Sequence, residues 1–320
     1  MSEQKVRYAE ICKRHYVPLQ LQPWWLDAVC GQEHWDVCLA RNGSGQIIGA
    51  LPYCCKKHFF GKTIVQPPLT SYGGPWFFID PEKLKKPGSR YQQEYKVLEE
   101  LIRQLPPTVF YRQNFHPDIK NWLPFFWDGF RETTRYTYQF DHPGDLEKIE
   151  TGFKNTLRTD LKKAGRSVEA HRQDDAIDAV FRVHEQSFLR QNKRPPYTLE
   201  VCRRLNAALL QRGQVACWLA LDRHSGEPHA GLCVAYDTRR AGILLTGTDP
   251  AHKSASAIWL LFWEAIVFCL EKNLSLDFEG SMDRNIERGF RAFGADLVPY
   301  HSIWRPGNRV LDIAYRLIKQ

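Results

Sequence analysis

Two carboxylates, Asp277 and Glu279, stand two residues apart in the stretch LDFEGSMDRNIERGFRAFGADLVPYHSIWR, which runs from Leu276 to Arg305. The stretch reads as a strand, a tight corner, a helix and a last strand. Side chains two apart on a strand point to one face, and the carboxyl end of a strand in an open α/β sheet is a usual place for ligands. Gly280 permits a sharp corner, and Ser281 can cap the helix that follows. Phe290 and Phe293, three apart on that helix, bury together, and Gly294 stops it. A carboxylate at such a corner can act as the general base for an attacking amine. It can equally tie the corner by accepting backbone N–H bonds. The reading takes Glu279 and Asp277 as the catalytic candidates, with Glu279 the base and Asp277 able to serve as a brace.

Three other stretches carry groups that could bind. In FKNTLRTDLKKAGR, Lys154, Arg158, Lys162 and Arg166 recur every four residues and form a basic stripe on one helix, opposed by Asp160 alone. Phe153, Leu157, Leu161 and Ala164 form the apolar stripe that docks the helix. Like charges at this spacing repel by a few tenths of a kcal/mol per pair, which a phosphate-bearing ligand would offset; the bland alternative is a solvated basic face. In TSYGGPWF, Gly73 and Gly74 allow backbone to approach a ligand and Tyr72 can donate a hydrogen bond or stack; here the alternative is a buried turn. RQNKRPPYT, with Arg190, Lys193 and Arg194, reads as a surface loop able to act as a basic flap. No G-x-S-x-G, H-E-x-x-H, Walker loop, dinucleotide fingerprint or RNA-binding signature occurs.

The elements that must position these residues fill 320 residues, enough for one large or two ordinary domains. The composition, 43% hydrophobic and 25% charged, is that of a globular chain. The formal charge of +8 favours anionic partners and is spread over both halves. The nine cysteines have no C-x-x-C spacing and sit mostly in apolar contexts, so the reading is reduced core thiols. Cys54, Cys55 and His58 offer zinc-ligand types, but adjacent cysteines on a strand point to opposite faces, and no metal is expected. No apolar run reaches the roughly 18 residues of a membrane span and no signal-type segment opens the chain, so the expectation is a cytoplasmic protein without membrane insertion.

Read for period, the two halves repeat one plan of helix, hairpin, further strand, long helix, strand, short helix and last strand. WDVCLARNGSGQIIGALPY echoes VACWLALDRHSGEPHAGLCVAY, and FFWDGFRETTRYTYQF echoes FRAFGADLVPYHSIW. The prediction is an α/β (α+β) chain of two tandem lobes, each a mixed, mostly antiparallel sheet flanked by helices. Their limits are set at 1–143 and 144–305, with 306–320 a tail that returns to the first lobe.

On DFEGSMDRNIERGFRAFGA, NTLRTDLKKAG and YGGPWF, the chain resembles the FemAB-like branch of the GNAT acyltransferase superfamily, whose members carry two such lobes in tandem. The resemblance covers most of the chain. It implies transfer of an acyl or aminoacyl group from an activated donor, acyl-CoA or aminoacyl-tRNA, to an amine on a small-molecule or cell-envelope precursor. It also implies that a basic residue in the Lys154–Lys162 helix, Arg158 foremost, faces the acceptor. The acyl-CoA loop of such enzymes, Q/R-x-x-G-x-G/A, corresponds here to HKSASA, His252 to Ala257. His252, Lys253 and Ser254 then become the donor-phosphate candidates at a helix N-terminus. Ala255 and Ala257 stand where the glycines would be and do not readily take positive φ. The rival reading is a catalytically inactive binding protein that holds a phosphorylated or saccharide ligand. Nothing in the residues speaks to oligomeric state.

Overall fold

The computed structural model describes residues 2–59, 61–79, 86–141, 146–280 and 282–307, with the backbone alone at 253–255. The expected tail therefore lies almost wholly outside the described residues. The elements in chain order are α1 (Glu3–Cys12), α2 (Pro23–Cys30), β1 (Trp35–Arg41), β2 (Ile47–His58), β3 (Gly61–Val65), β4 (Trp76–Phe77), α3 (Pro87–Arg103), β5 (Phe110–Asn114), α4 (Leu123–Trp127) and β6 (Arg131–Phe140). The chain continues with α5 (Leu146–Gly152), α6 (Asn155–Ser167), β7 (Val168–Arg172), α7 (Ile177–Leu189), α8 (Leu199–Leu210), β8 (Val215–Asp222), β9 (Pro228–Tyr236), β10 (Arg240–Thr248), α9 (Ala257–Glu271), β11 (Ser275–Asp277), α10 (Arg284–Ala292) and β12 (Asp296–Pro306).

Two compact units result: Met1–Arg135 together with the chain from Pro299 onward, and Tyr136–Val298. The sequence reading put the boundary at 143/144 and left 299–305 with the second lobe. The difference has a simple cause, an exchange of last strands. In the first unit β1, β2 and β3 are antiparallel neighbours, β3 and β5 are parallel, and β12 pairs antiparallel with β5 from Ser302↔Asn114 to Pro306↔Phe110. In the second unit β7 to β10 are antiparallel neighbours, β10 and β11 are parallel, and β6 pairs antiparallel with β11 at Leu276↔Phe140 and Asp277↔Gln139. The strand that follows α4 thus serves the second unit, and the strand that follows α10 serves the first.

Each unit has its own core. In the first, Val97, Leu98, Leu101 and Ile102 of α3 pack on Leu51, Ile64, Tyr111 and Ile303. In the second, α9 is apolar on nearly every side and packs on Ala230, Leu232, Val234 and Ile243, while α6 contributes Leu157 and Ala164. Buried area of this kind is worth about 25 cal/mol per Å² and is the main force holding each layer.

Three local expectations change. The stretch FKNTLRTDLKKAGR, read as one helix, is helical only from Asn155: the chain breaks between α5 and α6 at Gly152–Lys154, because Phe153 turns inward against Trp263 and Phe293. The cap of α10 is Asp283, whose carboxylate accepts from the amides of Asn285 and Ile286; Ser281 lies outside the described residues. Cys217 and Cys233, expected as reduced thiols, are register partners on β8 and β9 and are joined by a disulfide. Their separation of 16 residues follows from the hairpin that sets them opposite.

Candidate active site in the second unit

β10 and β11 run side by side only from Arg240↔Ser275 to Gly242↔Asp277. Beyond that pair β10 continues to Thr248, while the other chain turns away at Phe278. The sheet therefore opens at the carboxyl end of β11. The backbone past the divergence is taken over by α7: His184 Nδ1 lies 2.6 Å from the Thr246 carbonyl oxygen. Ser187 Oγ donates to the Thr248 carbonyl at 2.9 Å and accepts from the Thr248 amide at 3.0 Å. A buried strand cannot leave such groups unpaired without a cost of about 1–3 kcal/mol each, and α7 meets that demand. Glycines let it come close. A Cβ on Gly247 would collide with the backbone of His184, and one on Gly231 would press on Val180 at 3.0 Å.

Asp277 and Glu279 part company at the corner. Asp277 Oδ1 accepts from Thr137 Oγ1 at 2.5 Å and from the Glu279 amide at 2.6 Å, and Oδ2 accepts from Gln139 Nε2 at 2.7 Å. It braces the turn and ties it to β6. Glu279 has φ +55° and Gly280 φ +57°, two consecutive left-handed residues. That conformation costs a non-glycine residue roughly 1–2 kcal/mol, which the three bonds to Asp277 offset. The turn lays the Glu279 side chain over Gly242, where any Cβ would overlap Oε1. Gly242, Leu245 and Gly247 pair with Ala235, Cys233 and Gly231 across a bulge between Ile243 and Leu245, so all three lie on one face of the sheet. That is the α7 face. The Glu279 carboxylate, half-buried, stands on it at the mouth of the divergence.

Two residues that sequence reasoning did not single out share this face. Tyr197, in the loop before α8, lies 3.0 Å from His184 Nε2, its ring stacked on the imidazole at 14°. Burial lowers the His184 pKa. Burial, Cys202 and then the Glu279 carboxylate raise that of Tyr197. His184 sits in FRVHEQSF, a stretch whose period marks an amphipathic helix and nothing more; its role comes from the strand end it meets.

The other candidates lie elsewhere. Arg158 Nη2 donates to the carbonyl oxygens of Glu150 and Thr151, at 2.6 and 3.2 Å, and so closes the end of α5. Lys154 is the N-cap residue of α6, and both it and Lys162 are exposed. α6 packs with α9 against the face opposite to α7, so the basic stripe is not brought to Glu279. Ser256, with φ +54°, is the left-handed residue of the expected donor loop, and α9 begins only at Ala257, after a 3₁₀ stretch from Pro250 to Ala255. Within that stretch the His252 ring stacks on His229 at 3.8 Å and 7°. The side chains of Lys253 and Ser254 lie outside the described residues. Tyr72 and Gly73 belong to the first unit. Tyr72 is buried against Tyr300 and His116, and the Gly73 amide donates to Asn114 O at 2.6 Å. Among the described residues no group of three or more His, Cys, Asp or Glu could hold a metal, and no helix is long and apolar enough to cross a membrane.

The family model described as the acetyltransferase (GNAT) domain matches residues 151–284, a span that holds His184, Tyr197, Gly242, Asp277 and Glu279. No curated protein sequence matches the chain significantly. Among solved structures, FemX superposes with a TM-score of 0.65 at 10% identity, over 100% of this chain and 99% of its own. The C-terminal domain of a putative lysylphosphatidylglycerol synthetase from Agrobacterium fabrum gives 0.55 at 13% identity, over 99% and 94%. A tandem GNAT protein from the clavulanic acid biosynthesis pathway gives 0.52 at 10%, over 96% and 95%. Residues 151–284, within the second unit, are thus similar to the GNAT acetyltransferase domain, and the chain as a whole shares the fold of FemX and of the tandem GNAT protein.

Proposed function

We propose that the second unit transfers an acyl or aminoacyl group from an activated donor to an amine, with Glu279 as the general base. The observation that carries this reading is the Glu279 carboxylate, held by a braced left-handed turn over Gly242 where β10 and β11 part. An amine entering there meets a group able to take its proton as it attacks the donor carbonyl. Past Gly242 the strand β10 has no β11 partner and carries a bulge between Ile243 and Leu245, and this reading assigns the amides of that bulge, short of the Thr248 amide that Ser187 takes, to the carbonyl oxygen as charge develops on it. Both reactants held at one cleft would gain the usual advantage of proximity.

The donor is acyl-CoA or aminoacyl-tRNA, and the acceptor an amine on a small molecule or on a cell-envelope or polysaccharide precursor. The chain's basic charge suits either donor. A thermal-shift panel of acyl-CoAs, aminoacyl-tRNAs and nucleotide-sugar precursors, followed by single-turnover transfer to the amines that bind, tests the reading. Transfer that depends on Glu279 supports it. Ligand binding with no transfer from either donor class returns the chain to a binding protein.

A further inference from the structure

YGGPWF belongs to the first unit, and its end shapes a cavity there. β4 closes on β2 at Gly49↔Phe77 and Ala50↔Trp76, and the Phe78 amide donates to the Ile48 carbonyl at 2.9 Å. The chain from Phe77 to Ile79 thereby lines a cavity of about 1040 Å³. Ile47 and Ile48 of β2, Ile11 of α1, and Arg14, His15 and Tyr16 beyond that helix line it as well. The four isoleucines are branched and present no flat face, and the His15 ring already packs on Phe78, tilted at 53°. Such walls fit a flexible alkyl chain better than a planar ring, which needs an open ring face to stack on.

The β1–β2 hairpin joins this cavity to a second of about 390 Å³, since Arg41, Asn42, Ile48 and Gln93 line both. The smaller one adds Ser89, Gln92 and Lys96 of α3. Charge is uneven along the pair. In the larger cavity Arg7 is paired with Glu3, and Arg14 with Glu10 at 3.8 Å. In the smaller, Glu100 is taken by Arg103 and by Gln104 Nε2, each at 2.8 Å. Arg41 donates to the Gly45 carbonyl at 3.1 Å, and among the described residues neither it nor Lys96 meets a carboxylate. Two uncompensated cations therefore border a polar cavity that shares its lining with an apolar one. A guanidinium fork beside an ammonium suits a phosphate monoester, which carries about −1.5 to −2 charges at neutral pH.

We propose that the first unit binds a single-chain alkyl phosphate. The head lies at Arg41 and Lys96 in the smaller cavity, where Ser89 and Gln92 can donate to its oxygens, and the chain runs along Ile48, Ile47, Phe77 and Ile79 in the larger. The site binds and does no covalent chemistry. It stands apart from the transfer reading, because every residue named for it lies in the first unit.

Isothermal titration of the full chain with n-dodecyl phosphate, kept below its micellar concentration, tests the proposal. One-to-one binding is expected. n-Dodecyltrimethylammonium, with the same chain and the opposite charge, and inorganic phosphate, with the head alone, should each bind at least tenfold more weakly. Arg41→Gln and Lys96→Gln each remove one exposed cation and should weaken n-dodecyl phosphate about tenfold, the scale of one lost charge-assisted hydrogen bond, with little change in melting temperature. Ile79→Asn puts an amide into the wall of the larger cavity and should weaken n-dodecyl phosphate while leaving inorganic phosphate alone. No binding of n-dodecyl phosphate, equal binding of the trimethylammonium probe, or unchanged affinity in both cation variants would each overturn the proposal. Binding to phosphatidic acid vesicles without binding of the monomeric phosphate would also overturn it, in favour of a membrane-facing surface.

Discussion

The two units open their sheets in the same place and do opposite things with the opening. In the second, β10 and β11 separate after Gly242↔Asp277, and a carboxylate stands in the gap. In the first, β3 and β5 pair at Thr63↔Phe110 and Ile64↔Tyr111 and then separate, but the chain itself fills the space. The segment from Gln66 to Trp76 folds back so that Gly73 bridges Phe115 as a parallel partner, and the Gly73 carbonyl accepts from the His116 amide at 3.2 Å. Gln66 Oε1 accepts from the Asn114 amide at 3.0 Å, and Asn114 Nδ2 donates to Ser71 O at 3.2 Å. Gly74, φ +83°, lies flat against the Phe115 ring. A divergence of parallel strands leaves backbone groups that must be paired. The first unit pairs them with its own loop, the second with side chains of α7, and only the second solution leaves an acidic group at the gap.

The sharpest way to break this comparison is to neutralise the carboxylate. Glu279→Gln keeps the shape and should lower turnover by roughly 10²–10⁴ with little change in donor affinity. The loss should shrink at high pH, where more of the free amine is already deprotonated. Asn114→Ala, the change at the matching strand end of the first unit, should leave turnover alone and cost about 1–3 kcal/mol of stability from the orphaned partners. A turnover loss in Asn114→Ala as large as in Glu279→Gln would end the distinction between the units.

A pair of glycine substitutions separates the two kinds of filling. Gly74→Ala puts a methyl group into the Phe115 ring on a left-handed residue and should destabilise by about 2–4 kcal/mol, read by denaturant unfolding. Gly242→Ala meets the flexible Glu279 side chain first, which can swing away. It should lower turnover while shifting the unfolding midpoint far less.

Asp277→Asn tests the brace. An amide cannot accept all three of the bonds that the carboxylate accepts, so stability should fall by about 1–3 kcal/mol. Activity should fall less than in Glu279→Gln, and a rate loss without a lower melting temperature would make Asp277 a catalytic group.

A pH effect distinguishes α7 from the first unit's loop. Burial depresses the folded-state pKa of His184, so the folded protein binds the proton less well than the unfolded chain. Its contribution to stability is present above the ordinary value of 6.5 and is lost as pH falls below it. Melting curves between pH 8 and pH 5 should show this slope, and His184→Gln should flatten it.

The smallest expected effect is that of Arg158→Ala, about 0.5–1.5 kcal/mol from two carbonyls at the exposed end of α5, with donor and acceptor affinities unchanged. A large affinity loss would bring the basic stripe back into the site.

Much of this molecule could be read from local pattern. The strand, corner and helix from Leu276 onward are visible because acid spacing, Gly280 and the Phe290–Phe293 pair are all signals within a few residues of one another. The repeat of hairpin, long helix and strand is visible for the same reason, since hydrophobic period is a property of neighbours in sequence. The break at Gly152–Lys154 carries no proline to mark it, and Lys154, read as the first of the four-residue basic spacing, stands at the N-cap of α6. Only Phe153 turning into the core against Trp263 and Phe293 ends α5.

The sequence by itself determined the element order, the tandem plan, and the place of two acids at a strand's end, because those rest on short-range spacing and conformational preference. Tertiary structure alone decided the rest. It gave Asp277 and Glu279 different surroundings, since which acid meets Thr137 and Gln139 depends on β6 arriving beside β11 from a segment 138 residues away. It exchanged the last strands, because edge pairing is chosen by which partner can bury a strand and satisfy its backbone, and that choice is global. It paired Cys217 with Cys233 and brought His184 and Tyr197 to the end of β10, because packing joins residues that sequence spacing leaves unrelated.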